Sequence, residues 1–196
     1  MSEPVKPPET ADATGSPGRG KQALVSVGVS MLLSAALIFL FWQDIWYFVQ
    51  KPEPLALGVA GETELKDIPD NHYVRIGGLT DPRVQYAGSN GKTYRYFILM
   101  GSPIIVEQEL KSAITGEVKS FRYNGSGRIL KLSEEAKYDV LLNHLKDKLR
   151  LDLKAGGYVM QDGVMPRDVW PYFAICCASI ILTALSVIRF FLVMRS

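Results

Sequence analysis

A chain of 196 residues with 22 Lys+Arg against 20 Asp+Glu has no strong field of either sign, and residues 51–168 are balanced too, with 17 basic and 16 acidic residues. Binding to phosphate backbones by counterion release needs clustered cations, so this balance argues against nucleic acid as a partner. The two cysteines, Cys176 and Cys177, are adjacent and lie inside an apolar run, which removes disulfides, cysteine-based zinc sites and thiol nucleophiles from the water-facing part.

Residues 1–22 contain Pro4, Pro7, Pro8 and Pro17 among Gly, Ser and Thr. Such a segment cannot bury enough surface to offset its ordering entropy, and a disordered tail is expected. Residues 23–49 then form the longest apolar run, without a charge before Asp44. From Ala23 to Phe41 alone, a helix covers roughly 28 Å, close to the hydrocarbon thickness of a bilayer. A first transmembrane helix is predicted over 23–49. A cleavable leader is the rival reading, because Ser34-Ala35-Ala36 is a small-residue group, but the apolar run continues through Leu37 to Trp42 where a mature chain turns polar.

A second run over 169–191 predicts a second transmembrane helix, with 192–196 as a short tail. Trp42, Trp46 and Tyr47 close the first run, while Trp170 and Tyr172 open the second. Amphipathic rings settle at headgroup level, so these five are expected to form one membrane-interface belt. Arg19, Lys21, Arg189 and Arg195 mark the opposite ends. The Arg19/Lys21 pair before the first helix orients both termini to the cytoplasm, with residues 50–168 across an inner or plasma membrane. Gly28, Ser30 and Ser34 in the first run, and Ala178, Ser179, Thr183 and Ser186 in the second, are small-residue faces. They fit packing of the two helices on each other, self-association, or docking on a membrane protein partner.

Residues 50–168 read mostly as strands. His72 to Ile76 alternates polar with apolar. Val84–Ala87 and Lys92–Met100 flank Gly88-Ser89-Asn90-Gly91, a hairpin signal. Pro103 to Gln108 is rich in β-branched residues, and Glu117–Tyr123 and Arg128–Leu132 surround Asn124-Gly125-Ser126-Gly127, a second hairpin signal. The period then changes. Ser133 is a good N-cap, and Ala136, Val140, Leu141, Leu145 and Leu149 make one helical stripe, so a helix is expected over about 134–150. Tyr158-Val159-Met160 is a last short strand. The fold class is α+β: two transmembrane helices flanking a β-rich domain, OB-like or a small partly open barrel, with one helix.

Chemical motifs are sparse. Asp70-Asn71-His72 puts an acid two residues from an imidazole, and with Arg75 it forms a candidate pocket for a ligand or proton transfer; the plainer reading is a turn leading into a strand. His144 falls on the solvent side of the helix. Met100-Gly101-Ser102-Pro103 lacks the nucleophile-elbow pattern, and neither glycine-rich turn has the Lys-Ser/Thr of a phosphate cradle. No catalytic set, cofactor motif or metal-ligand spacing emerges. Tyr94, Tyr96, Phe97, Phe121 and Tyr123, mixed with Arg95 and Arg122, are the residue types on which single strands stack, but a neutral domain tied to lipid favours core and cross-strand packing instead. Asn124-Gly125-Ser126 matches a glycosylation sequon that occurs often by chance.

In layout, apolar runs at 23–49 and 169–191 around a β-rich segment at 50–168, the chain resembles the Surfeit-locus family of cytochrome oxidase assembly factors. The resemblance implies an assembly role beside a membrane complex. The expectation is therefore a two-pass membrane protein that presents a small β-rich domain at the bilayer surface as a non-enzymatic accessory or assembly factor. The alternative is a membrane-bound enzyme or ligand sensor using the Asp70, His72 and Arg75 pocket.

Overall fold

The structure is a computed structural model that describes residues 18–62, 68–81, 85–89, 92–110, 120–154 and 156–195. Residues 1–17 of the tail expected over 1–22, the turn residues Asn90 and Gly91, and the start of the expected strand at 117–119 lie outside the described residues; residues 18–22 are helical, forming the start of α1. Two compact units divide the chain: Met1–Leu40 with Ile175–Ser196, and Phe41–Ala174.

In the first unit, α1 (Gly18–Leu40) packs along the later part of α4 (Trp170–Arg195). Lipid-like side chains cover the outside, with Leu32 and Leu33 of α1 and Leu182 and Ile188 of α4 exposed. The seam is made of hydroxyls. Ser34 Oγ lies 3.0 Å from the Ser179 carbonyl, to which it donates, and 2.8 Å from Thr183 Oγ1, while Thr183 Oγ1 donates to the Ser30 carbonyl at 3.0 Å. Small side chains let the backbones approach closely enough for such bonds. Of the residues expected on these faces, Gly28 has nothing within 4 Å of a built Cβ and Ala178 is exposed, so both stand off the seam.

Among the described residues, one helical stretch, Pro166–Arg195, is by itself long and apolar enough to cross a membrane. The first run differs from the expected single helix over 23–49: it breaks at Phe41, whose φ −102 and ψ 15 are not helical, and continues as the short α2 (Trp42–Phe48). It is long and apolar enough to cross a membrane only if Leu24–Leu40 and Trp42–Phe48 are taken together across the break. Two bonds hold the piece after the break against the sheet: the Gln43 backbone carbonyl accepts from Asn71 Nδ2, and Asp44 Oδ1 accepts from Arg128.

The second unit is α+β. A seven-stranded mixed sheet has the order β1-β2-β6-β7-β5-β4-β3, formed by β1 (Leu55–Val59), β2 (His72–Leu79), β3 (Gln85–Ser89), β4 (Lys92–Ile98), β5 (Ile104–Leu110), β6 (Arg122–Lys131) and β7 (Tyr158–Asp162). The pairs β1–β2 and β5–β7 are parallel and the rest antiparallel. An isolated bridge from Thr80 to Leu99 joins the strand ends of β2 and β4, so the sheet curls back toward itself. Alternate residues of five strands fill the interior: Val74 and Ile76, Phe97, Ile104 and Val106, Ile129, and Met160. The opposite side of β4, β5 and β7 is covered by α3 (Asp139–Leu149), where Ile98, Ile105, Leu130 and Val159 meet Tyr138, Leu142 and Leu145.

Two local expectations are corrected. No hairpin turns at Asn124–Gly127; β6 runs straight through it, with Gly127 opposite both Val74 and Asp162. These glycines serve close approach rather than a turn. A Cβ on Gly127 would stand 2.0 Å from the Gln161 carbonyl oxygen, and one on Gly125 would stand 2.0 Å from Tyr123 Oη. The helix also starts later than Ser133. Leu132–Glu134 and Ala136–Tyr138 are 3-10 turns, α3 begins at Asp139, and its buried positions are Leu142 and Leu145, with Val140 83% exposed. Arg150, at φ 56, ends it in the left-handed conformation.

Candidate functional site

The outer face of β2 and β6 carries Tyr73, Arg75, Gly77 and Leu79 opposite Arg128, Ser126, Asn124 and Arg122. One end of this face is covered and the other is open. At the covered end, Arg128 is 8% exposed and bonded through two of its nitrogens. Its Nε donates to Asn71 Oδ1 at 2.8 Å, its Nη1 to Asp44 Oδ1 at 2.6 Å, and its guanidinium carbon lies 4.7 Å from the centre of the Tyr47 ring. Asn71 in turn donates from Nδ2 to the Gln43 carbonyl, accepts at its own carbonyl from Gln50 Nε2, and holds φ 53. Gln50 Oε1 accepts from the Tyr73 N–H at 3.2 Å. A charged pair taken out of water needs further hydrogen bonds beside its mutual attraction, and here Asn71 Oδ1 supplies one to the Arg128 guanidinium.

This node binds α2 to the sheet. Tyr47 is fully buried against Tyr73 and Val169 and donates from Oη to the Val164 carbonyl at 2.7 Å. Of the five aromatic residues expected in a membrane-interface belt, Tyr47 is thus drawn inward, because its helix face is the one that meets Arg128. Trp42, Trp46 and Trp170 are more than half exposed and Tyr172 is 40% exposed. Phe41 packs on Tyr172 at 5.0 Å and Phe48 stacks on Phe173 at 4.7 Å, joining α2 to the first turn of α4 within this unit.

The open end is a groove of about 250 Å³ between β1, β2 and β6, lined by Gly58, Arg75, Gly77, Gly78, Arg122 and Asn124. Glycines keep it shallow and clear. Gly58 takes φ 83 where the pairing of β1 slips against β2, a conformation that a side chain would strain. Arg75 and Arg122 are exposed, and neither side chain has an ion pair or hydrogen bond with a described residue. Two guanidiniums open to solvent on one strand face suit a carboxylate-bearing or otherwise anionic surface.

The structure does not bring Asp70, His72 and Arg75 into one pocket. Asp70 Oδ1 accepts from the Lys131 N–H at 2.8 Å, and His72 Nδ1 sits 2.6 Å from the carbonyl of Asp70 itself. Both are tied up in the turn that starts β2, while Arg75 belongs to the groove. Arg122 stood out in the sequence only among the aromatic strands, and its place beside Arg75 on a glycine floor was hidden because β1 had no strand signal and Asn124–Gly127 looked like a turn.

A second polar cluster is saturated rather than open. Glu107, 4% exposed, accepts from Tyr96 Oη at 2.9 Å, Tyr138 Oη at 2.5 Å and Lys137 Nζ at 3.0 Å. Burial, reinforced by the Glu107 charge, pushes both tyrosine hydroxyls far above their ordinary range. A carboxylate held this way locks the start of α3 to the sheet. The aromatic group is likewise internal: Phe97 and Tyr123 are buried, Arg95 lies over Phe97 and Phe121, and Tyr123 Oη donates to Asp162 at 2.6 Å. Among the described residues, no group of three or more His, Cys, Asp or Glu can hold a metal ion.

Comparison with protein-family models, with curated proteins and with solved structures gives no match, so function has to be argued from this geometry.

Proposed function

We propose that the chain is a two-pass membrane protein, both termini cytoplasmic, that presents its β-rich unit at the bilayer surface as a non-enzymatic accessory or assembly factor for a membrane protein complex. The observation that carries this reading is the outer face of β2 and β6. A buried Arg128 node fastens the aromatic helix α2 over one end, and a groove with two exposed arginines lies open at the other. With the aromatic α2 resting at the interface, the groove stays near lipid, which suits docking to an acidic surface of a neighbouring membrane protein. The order β2-β6-β7-β5-β4 with the return bridge at Thr80 and Leu99 supports reading the sheet as a small partly open barrel of OB-like type, a scaffold that commonly uses an outer face for binding.

The test is purification of the full chain from its native membranes in mild detergent, beside Arg75→Glu and Arg122→Glu variants. A stoichiometric membrane protein that accompanies the unaltered chain and is lost from both variants, at equal abundance of the chain, is the expected result. A lone monodisperse chain overturns the accessory reading. Orientation is checked separately: a reporter fused after Ser196 should read as cytoplasmic, and an external signal refutes that part.

A further inference from the structure

We propose that the first unit carries a binding site for the phosphate headgroup of an anionic phospholipid, between α1 and α4 at the end that holds the chain termini. The inference rests on the membrane reading above. A cavity of about 490 Å³ lies there. Leu182 and Leu185 give it apolar wall, and Gln22, Ser26, Ser186 and Arg189 give it polar groups. The wall suits acyl chain and the polar groups suit a phosphate.

Depth, charge and the unmet hydrogen bonds agree. Counting along α4 from Trp170, whose ring is expected at one interface, Arg189 lies roughly 28 Å on, the hydrocarbon thickness away. On α1 a similar distance, roughly 27 Å, separates Leu40 from Gln22, so the polar groups of both helices come to the same level. At that level a guanidinium reaches headgroups without a desolvation penalty. Neither helix contains an acidic residue along its length, whereas Lys21, Arg189 and Arg195 are all basic, so no acidic side chain of α1 or α4 competes for the site. The side chains of Gln22, Ser26 and Arg189 make no hydrogen bond or ion pair with a described residue. Donors left open beside apolar wall at headgroup depth are a lipid-phosphate site by the same chemistry that lets basic pockets between membrane helices hold anionic lipids. The hydroxyl seam at Ser30, Ser34, Ser179 and Thr183 closes the helices further along.

The experiment uses the full chain in nanodiscs and in detergent, with phosphatidylglycerol as the probe, phosphatidylcholine as the neutral control and inorganic phosphate as the soluble competitor. Native mass spectrometry counts retained lipid. The unaltered chain should retain phosphatidylglycerol over phosphatidylcholine. Arg189→Gln should lose this preference by about fivefold, the weight of one cation at a membrane surface, while Arg189→Lys keeps most of it and Arg195→Gln, outside the cavity, keeps all of it. Inorganic phosphate at millimolar concentration should not compete; displacement by it would assign the site to a free anion and overturn the lipid proposal. Equal retention of both lipids, or an unchanged preference in Arg189→Gln, also overturns it. Alkaline carbonate extraction separates the two readings: a chain released from membranes defeats both, whereas a chain that stays and shows no Arg189 dependence defeats the lipid site alone.

Discussion

Arg128 and Arg75 stand on neighbouring strands and face the same way, yet they do different things. Arg128 is buried, bonded to Asp44 and Asn71, and laid against Tyr47. Arg75 is exposed on a glycine floor, with no described residue paired to its guanidinium. The difference lies in what covers each residue: α2 packs over the Tyr73 and Arg128 end of the ladder and stops short of the Gly77 and Asn124 end. An arginine that a helix has closed over is part of the architecture, and one left open is available to something outside the chain.

Breaking the closed end should have the largest effect. Arg128→Ala leaves Asp44 and Asn71 facing a void with unmet polar groups, and loss of one partner from such a pair costs about 3–5 kcal/mol. Urea unfolding in micelles should show that loss. The double variant Arg128→Met with Asp44→Leu should recover part of it, because no uncompensated charge then stays buried. If Arg128→Ala were neutral, the distinction between the two arginines would fall.

How far this distinction was legible in the sequence depends on the length scale of the signal. The apolar run at 169–191, the strand at His72–Ile76 and the strands on either side of Gly88–Gly91 are local patterns that each appear as an element, whereas the run at 23–49 appears as two helices. The placing of α2 after the break at Phe41 was not legible, because it depends on Asp44 meeting Arg128, 84 positions away in the chain. Asn124–Gly127 misled for the same reason: a glycine needed for close contact with Gln161 has the same letter as a glycine needed for a turn. Of the expected pocket, Asp70 and His72 act locally in their own turn, whereas Arg75 acquires its setting only when β1 pairs beside β2. Arg122 read in the sequence as a companion of the aromatic strands, and its pairing with Arg75 on one face needs the register of β2 on β6.

The first unit offers a milder contrast, in which hydroxyls rather than charges join two elements. Thr183→Val removes the bond to the Ser30 carbonyl and the contact with Ser34 Oγ while keeping the shape of the side chain. Bonds of this kind between membrane helices contribute about 0.6 kcal/mol, and the loss should appear as a small drop in the detergent-denaturation midpoint. A much larger loss would mean that the seam is as essential as the Arg128 node.

Next in size is Glu135, near the closed end. Burial raises its pKa above the ordinary carboxyl value, opposed by attraction to Arg128 and reinforced by repulsion from Asp70 and Asp44. A carboxyl raised on folding favours the folded chain at low pH, and that contribution is lost as pH climbs from the unfolded value of 4.5 through the raised one. Glu135→Gln should therefore be more stable than the unaltered chain at neutral pH, by on the order of half a kcal/mol once solvent screening is allowed for, and the gain should vanish below pH 4.5. Unfolding midpoints of both chains across that range check the sign; a gain that persisted at low pH would remove the charge of Glu135 as its cause.

The smallest effect on stability belongs to the open end, and there a null result is the informative one. Arg75→Ala and Arg122→Ala take away exposed side chains that touch no described partner, so each should shift unfolding by less than about 0.5 kcal/mol. Function should not follow stability. If the groove docks an acidic surface, the two variants should accumulate normally and bind their partner more weakly, and raising the salt should weaken the unaltered chain toward the same level, since exposed charge pairs are screened. A stability loss approaching that of Arg128→Ala would instead show that Arg75 and Arg122 hold the sheet together, and the open end would then be architecture as well.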